Sequence, residues 1–313
     1  NRKSIQEESN KVMSRAVLFV GEVMRAVEQK RPIQVSKAMR LTQKMADIIQ
    51  VDESVLLGLT SIKDYDEYTF AHSVNVCVLS MAIADRMELP KAEIAEIGVA
   101  GLLHDIGKMH VPLSILNKSG QLDPQEWDTM RRHPMLGVIE LSRVRSMRMI
   151  TSPLFVALQH HVQYAGDGYP YKPNAWTLHR HSRIVSVADV FDAMTTPRTY
   201  RATALVPGKA VRFVHSMSGR AFDPVIVKAF VQAMGVYPVG SGVELDSGDI
   251  AVVLRQNREL AHLHRPWVAI VNSPSSEPIN LAEQHAGRYR CSIVRSADEL
   301  LSPEQRAGRF VTG

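Results

Sequence analysis

The sequence predicts a mainly α protein: an all-α core preceded by a helical segment and followed by a small β-rich appendage. Three observations predict it. Apolar residues recur at helical spacing up to residue 239, and no stretch between 66 and 239 sustains the period-two alternation of strands. After Tyr237-Pro238 the character changes to short β-branched runs separated by turn residues. The divisions read as 1–60, 61–239 and 240–313.

In the first segment Met13, Val17, Val20, Met24 and Val27 are spaced four, three, four, three, a seam of about two heptads. The seam either joins two protomers in a helical homodimer or packs on the next helix, whose stripe is Leu41, Met45, Ile48 and Ile49. Arg31-Pro32 breaks the first helix. In the core, Thr69 to Met87 forms a helix that stops before Leu89-Pro90. Residues 91–105 continue through Ile94, Ile97, Leu102 and Leu103 and break at Gly107. Asp123-Pro124-Gln125-Glu126 opens another helix, because Asp caps and Pro fits the first turn. His133 therefore falls on that helix or just beyond it. Pro153 begins a helix that carries His160 and His161 and ends in Gly166-Asp167-Gly168-Tyr169-Pro170. Residues 182–194 carry Asp189 and Asp192. In the appendage, Val243 to Leu245 and Ile250 to Leu254 flank the turn Asp246-Ser247-Gly248, with further strands at Trp267 to Val271 and Tyr289 to Val294 and a loose tail from about 302.

Composition narrows the class. No run of eighteen apolar residues occurs, so no part of this chain is expected to lie in a membrane and no signal peptide is read. The chain begins at Asn1, within a helix and without an initiator methionine, which leaves room for an upstream sensory or membrane segment. Cys77 and Cys291 lie far apart in apolar surroundings, as reduced thiols of a cytoplasmic protein do. A net charge of +5 is too small a bias to imply a nucleic acid polymer as partner. Arg131, Arg132, Arg143, Arg145 and Arg148 either draw phosphates toward the site or form a solvated helix face.

The chemistry lies in an ordered set of histidines and aspartates: His72, His104-Asp105, His133, His160-His161 and Asp189. Imidazole and carboxylate suit iron, manganese or zinc, and a carboxylate bridges two ions readily. An economical arrangement gives one ion His72, His104, Asp105 and Asp189, and a second Asp105, His133, His160 and His161, with Asp105 shared. In octahedral sites positions then remain for water and substrate. Two cations about 3.5–4 Å apart acidify a bridging water and stabilise the charge of a phosphodiester under in-line attack. Lys108, three residues after Asp105, places an ammonium on a phosphate or leaving-group oxygen, or interacts with a helix end. His110, His179, His181 and His215 read as surface or core residues.

Tyr68-Thr69-Phe70-Ala71-His72-Ser73, His104-Asp105-Ile106-Gly107-Lys108, His133-Pro134, His160-His161 with Gly168-Tyr169-Pro170, and Ala188-Asp189-Val190-Phe191-Asp192-Ala193 closely resemble the HD-GYP phosphodiesterases over about residues 60–240. His72 and His133, unremarkable alone, stand where that pattern wants them. The resemblance implies an HD-type helical core, two divalent ions per chain, iron or manganese first, and hydrolysis of cyclic di-GMP to pGpG and in some members GMP. Related 3′,3′-cyclic dinucleotides, including 3′,3′-cGAMP, are substrates of other members. It also implies substrate contacts from the Gly168-Tyr169-Pro170 loop and from Arg198 and Arg201, whose planar forks suit phosphate and guanine.

Two departures matter. Some members bind a third ion through a glutamate four residues before the first histidine; here that position is Tyr68, and Glu67 is about 140° round a helix from His72, so two ions are expected. Val162 and Ala165 stand where the family commonly has Glu and Asp, with Asp167 a conceivable substitute. Those losses leave two alternatives open: a weakly active or inactive cyclic dinucleotide receptor that signals through its loop to a partner such as a diguanylate cyclase, or an HD hydrolase of other nucleotides.

Overall fold

The structure is a computed structural model that describes residues 2–60, 68–144, 150–170, 177–196, 204–273, 277–302 and 305. It is mainly helical, with the strands confined to the C-terminal part. No helix among the described residues is long and apolar enough to cross a membrane.

Helices α1 (Arg2–Glu28) and α2 (Val35–Thr60) form an antiparallel pair separated by a turn at Lys30, where φ is +52° and Pro32 prevents continuation. Met13, Val20 and Met24 are buried within the chain, and Val17 and Val27 pack against the same core. The seam therefore faces neighbouring helices of its own chain rather than a second protomer. Within α2, Asp52 leaves helical geometry and its carboxylate caps Ser54, so two helices meet there at a kink.

The centre of the fold is α3 (Tyr68–Arg86), apolar all round and buried along nearly its whole length, as a helix with neighbours on every side must be. Around it pack α2, α4 (Lys91–Leu103), α9 (Arg180–Thr195) and α11 (Pro224–Met234). The chain leaves α4 at His104 and tightens into a 3-10 turn, Ile106–His110, so the predicted break comes three residues before Gly107. Short α5 (Leu113–Leu116) leads to α6 (Pro124–Met130). Asp123 caps α6 in a reciprocal capping box with Glu126, as the sequence predicts. His133 opens a separate helix, α7 (His133–Ser142). The next, α8 (Ser152–Gln159), ends one residue before the histidine pair: His160 is its C-cap and His161 lies beyond, where a helix through both was expected. α10 (Pro207–Ser216) completes the helical set described.

The C-terminal strands form an antiparallel sheet in the order β4-β3-β2-β1-β7, from β1 (Gly242–Leu245), β2 (Ile250–Arg255), β3 (Trp267–Ile270), β4 (Ile279–Asn280) and β7 (Ile293–Ser296). A two-residue hairpin, β5 (Gln284–His285) with β6 (Arg288–Tyr289), stands apart. The run predicted as one strand from Tyr289 to Val294 is thus divided between β6 and β7. Alternation along β2 explains how the sheet is held: Val252 and Leu254 join the helical core, whereas Ala251 and Val253 join a second cluster with Val243, Leu245, Val268 and Leu281. Most of the predicted tail lies outside the described residues.

Candidate metal and active site

Seven side chains from five separate places in the chain converge beside α3. His72 comes from the first turns of α3, His104 from the C-cap of α4, and Asp105 from the residue after it. His133 starts α7, His160 and His161 follow α8, and Asp189 lies midway along α9. All except His161 and Asp189 are essentially shut off from solvent.

Their ligand atoms fall into two groups, one of His72, His104 and Asp189, the other of Asp105, His133, His160 and His161. Asp105 stands between them. Its Oδ2 lies 3.2 Å from His104 Nε2 and 3.8 Å from His72 Nε2, whereas its Oδ1 lies 3.4 Å from His133 Nε2 and 3.7 Å from His160 Nε2. Asp189 Oδ1 is 3.1 Å from His72 Nε2, and its Oδ2 is 3.9 Å from His161 Nδ1.

The outward-facing ring nitrogens have fixed partners. His104 Nδ1 donates to Gly101 O (2.8 Å), His133 Nδ1 to Met130 O (2.8 Å) and His160 Nδ1 to Val156 O (2.9 Å). Each bond leaves Nε2 as the lone-pair nitrogen aimed inward, the orientation that ligand histidines need. His104 Nε2 and Asp105 Oδ1 are buried with no hydrogen-bond partner, which is costly for groups with nothing to bind. Imidazoles and carboxylates poised in this way fit divalent cations.

Protonation agrees with that fit at His133, His161 and both aspartates, and His72 would have to release a proton to ligate. Burial pushes His133 down to about 3, and burial together with His160 holds His161 well below its usual value. Burial would raise the carboxyls of Asp105 and Asp189, but the neighbouring His104 and Lys108 on the first and bonding to His72 on the second hold both well below the usual range. His72 moves the other way: burial opposes its charge, yet bonds to Asp189 and Asp192 outweigh burial and raise it. Neutral imidazoles and ionised carboxylates are the forms that ligate.

The sequence reading gave no role to Asp192. Its carboxylate accepts from His72 Nδ1 (2.7 Å) through Oδ2, and from Asn75 (3.0 Å) and Thr196 (3.3 Å) through Oδ1. The available signal was spacing, since Asp192 lies three residues after Asp189 and so on an adjoining face of α9. Asp192→Ala should weaken metal retention by roughly 10- to 100-fold, measured by competition with a chromophoric chelator. Retention equal to the parent protein would exclude this orienting role.

The Gly-Tyr-Pro loop closes one side. Gly168 has φ +92°, and a Cβ there would meet His161 O at 2.2 Å, so the turn admits only glycine. Its bridge to Val162 and the bond from Gln163 N to Asp167 O (2.8 Å) shape a tight hairpin. The Tyr169 ring then lies 4.6 Å from His161 and 6.1 Å from His133, and Pro170 follows through a cis peptide. Val162 is buried and Ala165 exposed, its N–H donating to Arg220 O (2.9 Å). Asp167 is exposed, and among the described residues its carboxylate joins neither ligand group. Lys108 reaches the cluster and pairs with Asp105 Oδ2. Arg198, Arg201 and Glu67 lie outside the described residues, as do Arg145 and Arg148.

Comparison with known proteins gives a consistent picture. The family described as HD domain matches residues 45–226. Among curated proteins, the chain is 39% identical over 244 residues to the cyclic di-GMP phosphodiesterase PA4108 of Pseudomonas aeruginosa, covering 78% of this chain and 58% of that protein. It is 33% identical over 198 residues to the cyclic di-GMP phosphodiesterase response regulator RpfG of Xanthomonas campestris pv. campestris, covering 63% of this chain and 52% of that one. The chain thus spans between about half and three fifths of the length of these relatives. Among solved structures, Bd1817, an HDG"Y"P protein from Bdellovibrio bacteriovorus, superposes with a TM-score of 0.59 at 17% identity over 72% of this chain and 71% of that one, a likeness of fold.

Proposed function

Because the chain belongs to the HD domain family, we propose that it is a metal-dependent phosphodiesterase of cyclic dinucleotides, with cyclic di-GMP as substrate and pGpG as the first product. The observation that carries this reading is the placement of Asp105, whose two oxygens face two separate groups of histidines. His72, His104, Asp105 and Asp189 would hold one ion, and Asp105, His133, His160 and His161 the other. Iron or manganese is the expected pair. When bound, two such cations acidify water and stabilise charge on a phosphodiester.

The chain's own residues supply the rest. Lys108, 19% exposed at its side chain, offers an ammonium at the rim of the cluster for a non-bridging phosphate oxygen or the departing ribose oxygen. The Tyr169 ring shields His161 and His133 from bulk water, which strengthens every electrostatic contact behind it. Gly168 and Pro170 fix the position of that ring, and the forks of Arg198 and Arg201 suit the phosphate or guanine of the substrate. All the proposed ligands fall in residues 61–239, which make up the catalytic unit in this reading, and two buried free cysteines fit a cytoplasmic setting.

The test is metal content and product in one preparation. Protein purified without oxygen or chelators is expected to carry two iron or manganese ions per chain and to convert cyclic di-GMP to pGpG. Chelation should abolish turnover, and Fe(II) or Mn(II) should restore it. Absence of pGpG and GMP at every metal loading would overturn hydrolysis of cyclic di-GMP. Faster conversion of 3′,3′-cGAMP in the same assay would reassign the substrate, and tight binding without turnover would make the chain a receptor.

A further inference from the structure

Helix α6 ends beside the Gly-Tyr-Pro loop and holds there a large ring that the fold does not bury: Trp127 is 41% exposed. Its position is nonetheless fixed. The capping box between Asp123 and Glu126 sets the start of the helix, and Lys118 pairs with Glu126 from the preceding segment. The indole meets the Tyr169 ring edge to face at 6.0 Å, and Tyr169 in turn lies 4.6 Å from His161. The guanidinium of Arg131, itself exposed, sits 5.7 Å from the indole centroid. A continuous line of rings thus runs from a proposed metal ligand out to solvent and ends in an aromatic surface with a cation over the ring.

We infer that Trp127 is the platform on which one purine base of the substrate stacks, with Arg131 beside it to meet the base edge or the second phosphate. The inference rests on the cyclic dinucleotide reading above, and it adds a stacking surface for a base that the reading does not name. Tyr169 lies 4.6 Å from His161 and Trp127 6.0 Å from Tyr169, so a base joined through its ribose to a phosphate at the histidine cluster has this ring within its reach. Purines stack on indole whatever their sequence context, and the planar fork of arginine matches guanine O6 and N7.

The experiment compares the metal-loaded parent chain with Trp127→Ala and Trp127→Phe, using cyclic di-GMP as probe for both turnover and equilibrium dialysis. Trp127→Ala is expected to raise KM and Kd by roughly tenfold or more with a much smaller change in kcat, while Trp127→Phe retains most of the affinity. Nucleotide binding should quench tryptophan emission in the parent and not in Trp127→Phe, whose remaining indoles, Trp176 and Trp267, supply the baseline. A structural role alone would not move that signal. Unchanged KM and Kd in Trp127→Ala would overturn the platform while leaving the hydrolase reading intact. Binding without turnover in the parent, lost in Trp127→Ala, would retain the platform and overturn hydrolysis. A parent chain that neither binds nor turns over the dinucleotide would overturn both.

Discussion

Asp105→Ala is expected to release both divalent ions together and to lower turnover of cyclic di-GMP by at least about a thousandfold. The expectation follows from the division of one carboxylate between two groups of histidines: Oδ2 faces His104 and His72, Oδ1 faces His133 and His160. Asp189 also spans the two groups, but with one histidine on each side, Oδ1 at 3.1 Å from His72 and Oδ2 at 3.9 Å from His161, whereas Asp105 meets two on each; Asp192 is engaged behind His72. Removing a shared ligand lowers affinity at both positions at once. The variant should still fold, since Asp105 sits in a tight turn whose backbone bonds do not depend on its side chain. Counting metals in the purified variant decides the matter. One tightly held ion per chain would show that the two groups bind independently and would remove Asp105 from its bridging position.

Gly107→Ala is expected to cost about 1–3 kcal/mol of stability and to loosen one ion more than the other. A Cβ at this position would fall 1.9 Å from His133 O and 2.5 Å from Gly137 N. Both are backbone atoms of α7, so no side-chain rotation relieves the overlap and the whole helix must retreat from the 3-10 turn. His133 retreats with it, away from Asp105, while His72, His104 and Asp189 keep their mutual positions. Denaturant unfolding paired with metal titration checks both parts. Parent-like stability with two equally tight ions would contradict the close approach.

Much of this was legible in the sequence, for identifiable reasons. The ordered histidines and aspartates and their resemblance to the HD-GYP phosphodiesterases indicated a helical HD fold, because apolar spacing and turn residues act locally. The Asp123 cap and the breaks at Pro32 and Pro90 fall where propensity puts them. The seam on α1 was ambiguous because period alone does not say whether the partner is α2 or another chain; burial of Met13, Val20 and Met24 within the chain settles what they face. The end of α8 was misplaced because His160 and His161 are compatible with a helix, and it is the hairpin through Gly168 that stops it. Asp192, Asn75 and Trp127 gained roles only from contacts across the fold, between residues as much as 120 apart in sequence. Spacing along the chain carries no record of such pairings.

The two-sided sheet has a practical consequence. Since Val252, Leu254 and Ala269 complete the helical core while their alternating neighbours fill a separate cluster, residue 240 is a change of secondary structure and not a natural cutting point. A fragment ending there would leave a greasy scar on the helices that carry the histidines, and its weakness would be mistaken for a defect in the chemistry. Shortened versions for study should therefore keep the strands.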